Sequence, residues 1–229
     1  MTQPFVQLDP LNSPFPIPWS WVQATQSGAT QPGASRLRYY RTPALVSPTG
    51  DYAAYSRFQM RVEADFAQSC VSSVLFVENL RNGELQTVTA ESPFADNPFS
   101  DSDDAAQPGT IAMLLPIAWS ETGDRILARE FESRFGSGLA SDFAVVWHRA
   151  TGKACTFAPS GVQYSNAILL GWSQVTPQQV LFQAGMIGDM DWPLWRVDAN
   201  GTTTSAPADK PIVFGSYQTN LWVGPQAHR

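Results

Sequence analysis

Lysine is almost missing from this sequence: Lys153 and Lys210 are the only two, and the rest of its 14 basic residues are arginine. Charge as a whole is scarce. Acidic and basic residues make up 15% of the chain, against roughly 25% in an ordinary globular protein. The balance is negative, −6 with an isoelectric point near 4.8, so neither nucleic acid nor an anionic membrane surface is an expected partner. No window approaches the roughly 18 apolar residues of a membrane span. The N-terminus, Met1-Thr-Gln-Pro-Phe-Val-Gln, has no basic region and no apolar run of signal-peptide length. A cytoplasmic location is therefore expected, with Cys70 and Cys155 as buried thiols and not a disulfide.

Chemical signatures are equally sparse. There is no Gly-x-Gly-x-x-Gly, P-loop, Gly-x-Ser-x-Gly, His-Glu-x-x-His or Cys-x-x-Cys. Of two histidines, one lies beside the C-terminus, and a His-dependent triad would have to use His148. No catalytic residue, cofactor or metal is assigned on this basis, and a small-molecule ligand is left unspecified.

What the chain does have is apolar content, 43% of its residues, and 8 tryptophans. Residues 1–35 read as a Pro/Trp-rich arm. Pro4, Pro10, Pro14, Pro16 and Pro18 disfavour a helix over the first eighteen positions and favour extended geometry there. Yet Phe15, Ile17, Trp19, Trp21 and Val22 are too apolar for a solvated tail. The arm either packs on its own domain or docks on a partner. Gln26 to Ser35 reads as a linker. Residues 36–229 read as a second region containing an acidic loop over 91–109, with acids at 91, 96, 101, 103 and 104.

From Leu37 onward, short runs rich in Val, Ile, Phe, Tyr and Trp alternate with Gly, Pro, Asn and Asp clusters, the pattern of an all-β region. Only Ala64 to Gln68 and Phe131 to Leu139 leave room for a short helix. A repeat runs through this region. Val46-Ser47-Pro48-Thr49-Gly50-Asp51, Trp119-Ser120-Glu121-Thr122-Gly123-Asp124 and Trp172-Ser173-Gln174-Val175-Thr176-Pro177 each join two predicted strands. In the first two, the Gly supplies the positive φ that the turn needs. A second hairpin follows each copy, turning at Asn82-Gly83, Thr151-Gly152 and Asn200-Gly201. Three units of two hairpins are expected, each a four-stranded antiparallel sheet.

The turn Ser-Pro-x-Gly-Asp after an aliphatic residue or tryptophan, with a strand closing later at an x-Gly turn, resembles the blades of TolB-like and WD-repeat β-propellers over residues 43–205. The Trp-Asp dipeptide of the WD family is missing, so the resemblance is nearer to the TolB-like version. It implies a small or incomplete propeller-like stack, closed or nearly closed; a β-sandwich is the alternative. Pro211 to Ser216 and Asn220 to Val223 would open a fourth unit, completed by Leu37 to Tyr40. The phrase Leu11-Asn-Ser-Pro-Phe-Pro-Ile-Pro-Trp-Ser-Trp also resembles uncharacterised cyanobacterial proteins, which implies a bacterial accessory role.

The function expected is a non-catalytic protein-binding or assembly module. Its partner-binding candidates are Phe15, Trp19, Trp21, Arg36, Arg38 and Arg41, since aromatic and arginine side chains dominate interface centres. Arg57 and Arg61 could extend the basic patch toward a carboxylate, a phosphate or the chain's own acidic loop. Two alternatives stay open. One is a hydrolase or lyase using Asp189 and Asp191, because propeller-fold glycosidases place two acids about 5–9 Å apart near the axis. The other is a sugar-binding protein using Trp119, Trp147, Trp172 or Trp195. Asp51 and Asp124 read as turn stabilisers, and the acids at 101–104 as a solvated loop in preference to a calcium site.

Overall fold

The structure, a computed structural model, describes residues 9–28, 37–99 and 107–226. Arg36, the linker residues 29–35 and the acids at 101, 103 and 104 lie outside them. The elements in chain order are helix α1 (Trp19–Gly28) and strands β1 (Leu37–Arg41), β2 (Ala44–Val46), β3 (Tyr52–Arg61), β4 (Cys70–Asn79) and β5 (Leu85–Val88). There follow β6 (Thr110–Trp119), β7 (Arg125–Arg134), β8 (Ala140–His148) and β9 (Lys153–Phe157). The chain continues through β10 (Asn166–Ser173), β11 (Val180–Gly185), β12 (Leu194–Val197) and β13 (Thr203–Ser205), then β14 (Pro211–Ile212), β15 (Ser216–Gln218) and β16 (Gly224–Gln226).

The three expected units form as antiparallel meanders: β2–β3–β4–β5, β6–β7–β8–β9 and β10–β11–β12–β13. Their turns are built alike. Ser47, Ser120 and Ser173 donate backbone N–H to the carbonyls of Tyr52, Arg125 and Gln179 at 2.8–2.9 Å. Each serine hydroxyl accepts a backbone N–H inside its own turn. Gly50 and Gly123 hold φ of 73° and 70°, a conformation costly for any residue with a Cβ.

Each unit buries one face against the next. Leu45, Leu75 and Val77 meet Trp119, Val145 and Trp147 between the first two units. A larger cluster joins Phe58 and Met60 to Phe131, Trp172 and Phe182, and takes in Leu11, Ile17, Trp21 and Val22 of the N-terminal segment.

Among the described residues the strands do not close into a ring. One sheet runs β15-β2-β3-β4-β6-β7-β8-β9 with β1, β5 and β16 alongside, and the other runs β13-β12-β11-β10-β14. The expected fourth unit is likewise not assembled among the described residues. Leu37 to Arg41 pairs with β3 and β16 instead, extending the long outer half of β3.

The C-terminal residues do something different: Ile212 pairs with Trp172, Phe214 with Trp119 and Ser216 with Val46. These partners are the residues just before the three turn serines. One extended segment, residues 211–218, thus pairs in turn with the ends of β10, β6 and β2.

Two helix expectations need correction. Phe131 to Leu139 is the end of β7, a turn with Gly136 at φ 74°, and the approach to β8. Its alternation of Phe131 and Ser133 with Glu130 and Glu132 is a strand period, and both faces are covered. The expected linker over Gln26 to Ser35 begins instead as the end of α1. Pro18 is the last proline before it and accepts the N–H of Trp21 and Val22, so no proline obstructs the helix interior. A 3-10 turn forms at Phe66–Gln68, capped by Asp65.

Candidate functional site

Between Asp9 and Pro18 the chain cannot join a sheet, because Pro10, Pro14, Pro16 and Pro18 bring no N–H donors. Asp9 organises the donors that remain. Its carboxylate accepts the N–H groups of Leu11 (2.9 Å), Ser13 (3.3 Å) and Ile17 (3.0 Å). The same carboxylate receives Arg129 from β7, with Nη1 at 2.7 Å and Nη2 at 3.2 Å, while Nη1 also reaches the Phe15 carbonyl at 2.7 Å. Arg129 Nε donates to Asp142 at 2.7 Å, and Asp142 in turn accepts the Leu169 N–H of β10 at 2.9 Å.

Arg129, Asp9 and Asp142 are buried. Burial pushes the Asp142 carboxyl up to about 6, outweighing the pull of Arg129 and helped by the nearby charge of Asp9. Arg129 is held charged, since the two carboxylates outweigh the effect of its burial.

This anchor sets one wall of a groove. Pro14, Phe15, Pro16 and Pro18 face Tyr40, Thr42 and Pro43 from the β1–β2 corner, Leu115 and Pro116 of β6, and Tyr217 of β15, around a cavity of about 250 Å³. Among the described residues no charged one lines it, and most of its polar side chains are engaged. Thr42 Oγ1 donates to the Pro43 carbonyl and accepts the Ser56 N–H. The Tyr217 hydroxyl donates to the Pro116 carbonyl at 2.9 Å, and burial pushes it up to about 12. Tyr40 stacks on Phe58 and tilts against Trp21, with ring centres 6.0 and 5.4 Å away.

Beside the groove, β15 ends its sheet: β2 is its one strand neighbour among the described residues. The loop from β15 to β16 carries exposed Leu221 and Trp222, and β16 pairs with the strand of Tyr40.

The partner-binding candidates divide. Phe15 lines the groove, while Trp21 is buried behind it against Tyr40. Trp19 lines a different cavity, between α1 and the β7–β8 turn. Arg38 Nη1 donates to the Leu37 carbonyl, and Arg41 lies 3.9 Å above the Tyr55 ring, which stacks on Phe76. Arg57 sits over Phe99 of the acidic loop at 4.9 Å, so that loop meets the arginine face through an aromatic contact. The groove residues Pro43, Leu115, Pro116 and Tyr217 carried no sequence signal. Their only shared property is meeting in space.

The remaining candidates occupy structural positions. Asp124 accepts hydrogen bonds from the hydroxyls of Ser120 and Thr122, both at 2.6 Å, and these hold its carboxyl below the usual range against the opposing effect of burial. Asp51 pairs with Arg81 at 2.7 Å. Asp189 and Asp191 are exposed on the β11–β12 loop, and Asp189 accepts the Met186 N–H. His148 ends β8, its carbonyl accepting the Gly152 N–H. Trp119, Trp147 and Trp172 are buried, so none offers a face to a sugar, and Trp195 packs against the core. Cys70 and Cys155 are unpaired, and burial pushes both thiols up.

Among the described residues no group of three or more His, Cys, Asp or Glu could hold a metal ion, and no helix is long and apolar enough to cross a membrane. Comparison of the chain with protein-family models, with curated proteins and with solved structures finds no match.

Proposed function

We propose that this chain is a non-catalytic protein-binding module, a propeller-like stack of three units working in the cytoplasm, which grips an extended, uncharged segment of a partner protein. The observation that carries this reading is the placement of the uncharged groove directly beside the open edge of β15. A partner strand added to that edge gains backbone hydrogen bonds, and its alternate side chains reach one side. Those side chains enter a groove whose Thr42 and Tyr217 hydroxyls are already bonded within the chain. A sugar would find few partners there for its hydroxyls, and an ionic group would be desolvated without a counter-charge. At about 250 Å³ the cavity falls just below the roughly 300–1,000 Å³ of sites for drug-sized molecules, a size suited to side chains.

The test is selection of peptides from a random displayed library on the full chain, followed by binding measurements on the native protein and on Tyr217→Asp. The expected peptides are uncharged and apolar, and lose about tenfold or more in affinity on the variant, whose circular dichroism stays native. Selected peptides dominated by charged residues, or equal binding to both proteins, would overturn the reading.

A further inference from the structure

The cavity that holds Trp19 is separate from the groove and has a different character. Three rings from distant parts of the chain enclose it: Trp19 at the start of α1, Phe66 in the 3-10 turn and Phe135 just beyond β7. Phe66 and Phe135 meet edge to face, with centres 4.4 Å apart and planes at 61°. The cavity measures about 340 Å³. Gly136 and Gly138 border it, and a Cβ at either position would meet nothing within 4 Å.

Asn166, the first residue of β10, also lines this space. It is 5% exposed, and its Oδ1 is buried with no hydrogen-bond partner. A buried amide oxygen without a hydrogen-bond partner in its own chain is unusual. The neighbouring hydroxyls do not serve it: Ser133 donates to the Leu139 carbonyl and Ser137 to the Arg134 carbonyl. Arg134, also on the lining, has its guanidinium 4.8 Å from the Phe94 ring centre. The cavity is therefore lined by aromatic rings, by a buried asparagine whose amide oxygen has no partner in the chain, and by Arg134, with no carboxylate among its described lining residues.

We propose that this cavity is a binding site for a small planar heteroaromatic molecule, neutral or anionic, whose ring N–H or amino group donates to Asn166 Oδ1. Aromatic walls recognise the flat apolar faces of such a ring. The amide selects among rings, because a ring of the same shape without a donor leaves Oδ1 unmet. Rotation about the Asn166 Cβ–Cγ bond is soft, so the amide can turn to the donor without moving β10. A cationic ligand is disfavoured by Arg134.

Indole and indene form a matched pair of probes, alike in shape and differing in the N–H. Titration of the full chain by calorimetry is expected to show indole binding about tenfold tighter than indene, the effect of one unmet buried acceptor. Asn166→Leu should abolish that preference while circular dichroism stays native, and Trp19→Ala should weaken both probes. Should Asn166→Leu fail to fold, the side-chain amide NMR signals of Asn166 in the native protein give the same answer by shifting with indole and not with indene. Equal affinity for the two probes, no binding of either up to its solubility limit, or indole binding that leaves the Asn166 amide signals unmoved would overturn the proposal. Peptide binding at the groove is a separate readout, so failure at either site leaves the other standing or falling alone.

Discussion

The indole N–H of Trp172 donates to the main-chain carbonyl of Trp119 at 2.9 Å, and Trp119 makes the same bond at the same length to Leu45 of the unit before it. Each donor stands just before a turn serine, so the sequence repeat is also a relay of hydrogen bonds between units. A buried tryptophan needs a partner for its N–H, and here that partner is the backbone of the preceding unit. Above the last link, the Arg125 guanidinium lies 5.0 Å from the Trp172 ring centre.

Breaking a link should loosen the stack at one joint. Trp172→Phe keeps most of the ring but leaves the Trp119 carbonyl without its donor, at an expected cost of about 1–3 kcal/mol. Trp172→Ala adds a cavity and should cost about 3–5 kcal/mol. Urea unfolding followed by circular dichroism measures both. A Trp172→Phe protein as stable as the native one would show that the bond contributes nothing.

The buried arginine makes a sharper prediction. Arg129→Met leaves Asp9 and Asp142 in the core without their cation and should destabilise by about 3–5 kcal/mol. Asp9→Asn keeps the side-chain shape but weakens the hold on the N-terminal segment. Hydrogen exchange should then accelerate at Leu11, Ser13 and Ile17, whose N–H groups bond to Asp9, before it does so in β6 or β7. Uniform exchange across the chain would mean that the segment is not a separately opening element.

Glu130 should make the fold sensitive to alkali. It is buried, its Oε2 has no partner, and burial together with the charges of Glu132 and Asp142 holds its carboxyl well above the ordinary 4.5. The unfolded chain releases this proton near pH 4.5 while the folded chain keeps it. The protonated group therefore contributes fully only below that pH, and stability falls as pH rises above it, by at most about 1.4 kcal/mol per pH unit. Glu130→Gln removes the titration and should flatten the fall. Urea midpoints from about pH 5 to pH 8 for the two proteins check this; parallel curves would refute it.

Two glycines separate local strain from packing. At Gly50 an added Cβ meets nothing within 4 Å, so Gly50→Ala should cost only the strained φ, about 1–2 kcal/mol. At Gly215, φ is 106° and a Cβ would stand 2.9 Å from both the Trp119 ring and the Val46 carbonyl. Gly215→Ala should cost clearly more, since the crossing strand must lift off the ends of β2 and β6. Thermal unfolding of the pair tests the order, and equal costs would contradict it.

The sequence by itself determined the units. Turn glycines, turn serines and strand alternation act within a few residues, so all three pairs of hairpins were legible from Ser47, Ser120 and Ser173 to Gly83, Gly152 and Gly201. The helix Trp19–Gly28 was missed: the prolines before it masked a proline-free run that ends at Gly28. Tertiary structure decided the rest.

Whether the three units close into a ring depends on where residues 211–218 go, and their pairing with Trp172, Trp119 and Val46 is a choice among edges that no local pattern encodes. Arg129 looked like one arginine among many until folding brought Asp9 to it across 120 positions. The groove required Phe15, Tyr40, Leu115 and Tyr217 to meet, and the Asn166 cavity required Trp19, Phe66 and Phe135. Low charge left the groove uncharged, but only the packing of distant segments shaped it and the Asn166 cavity.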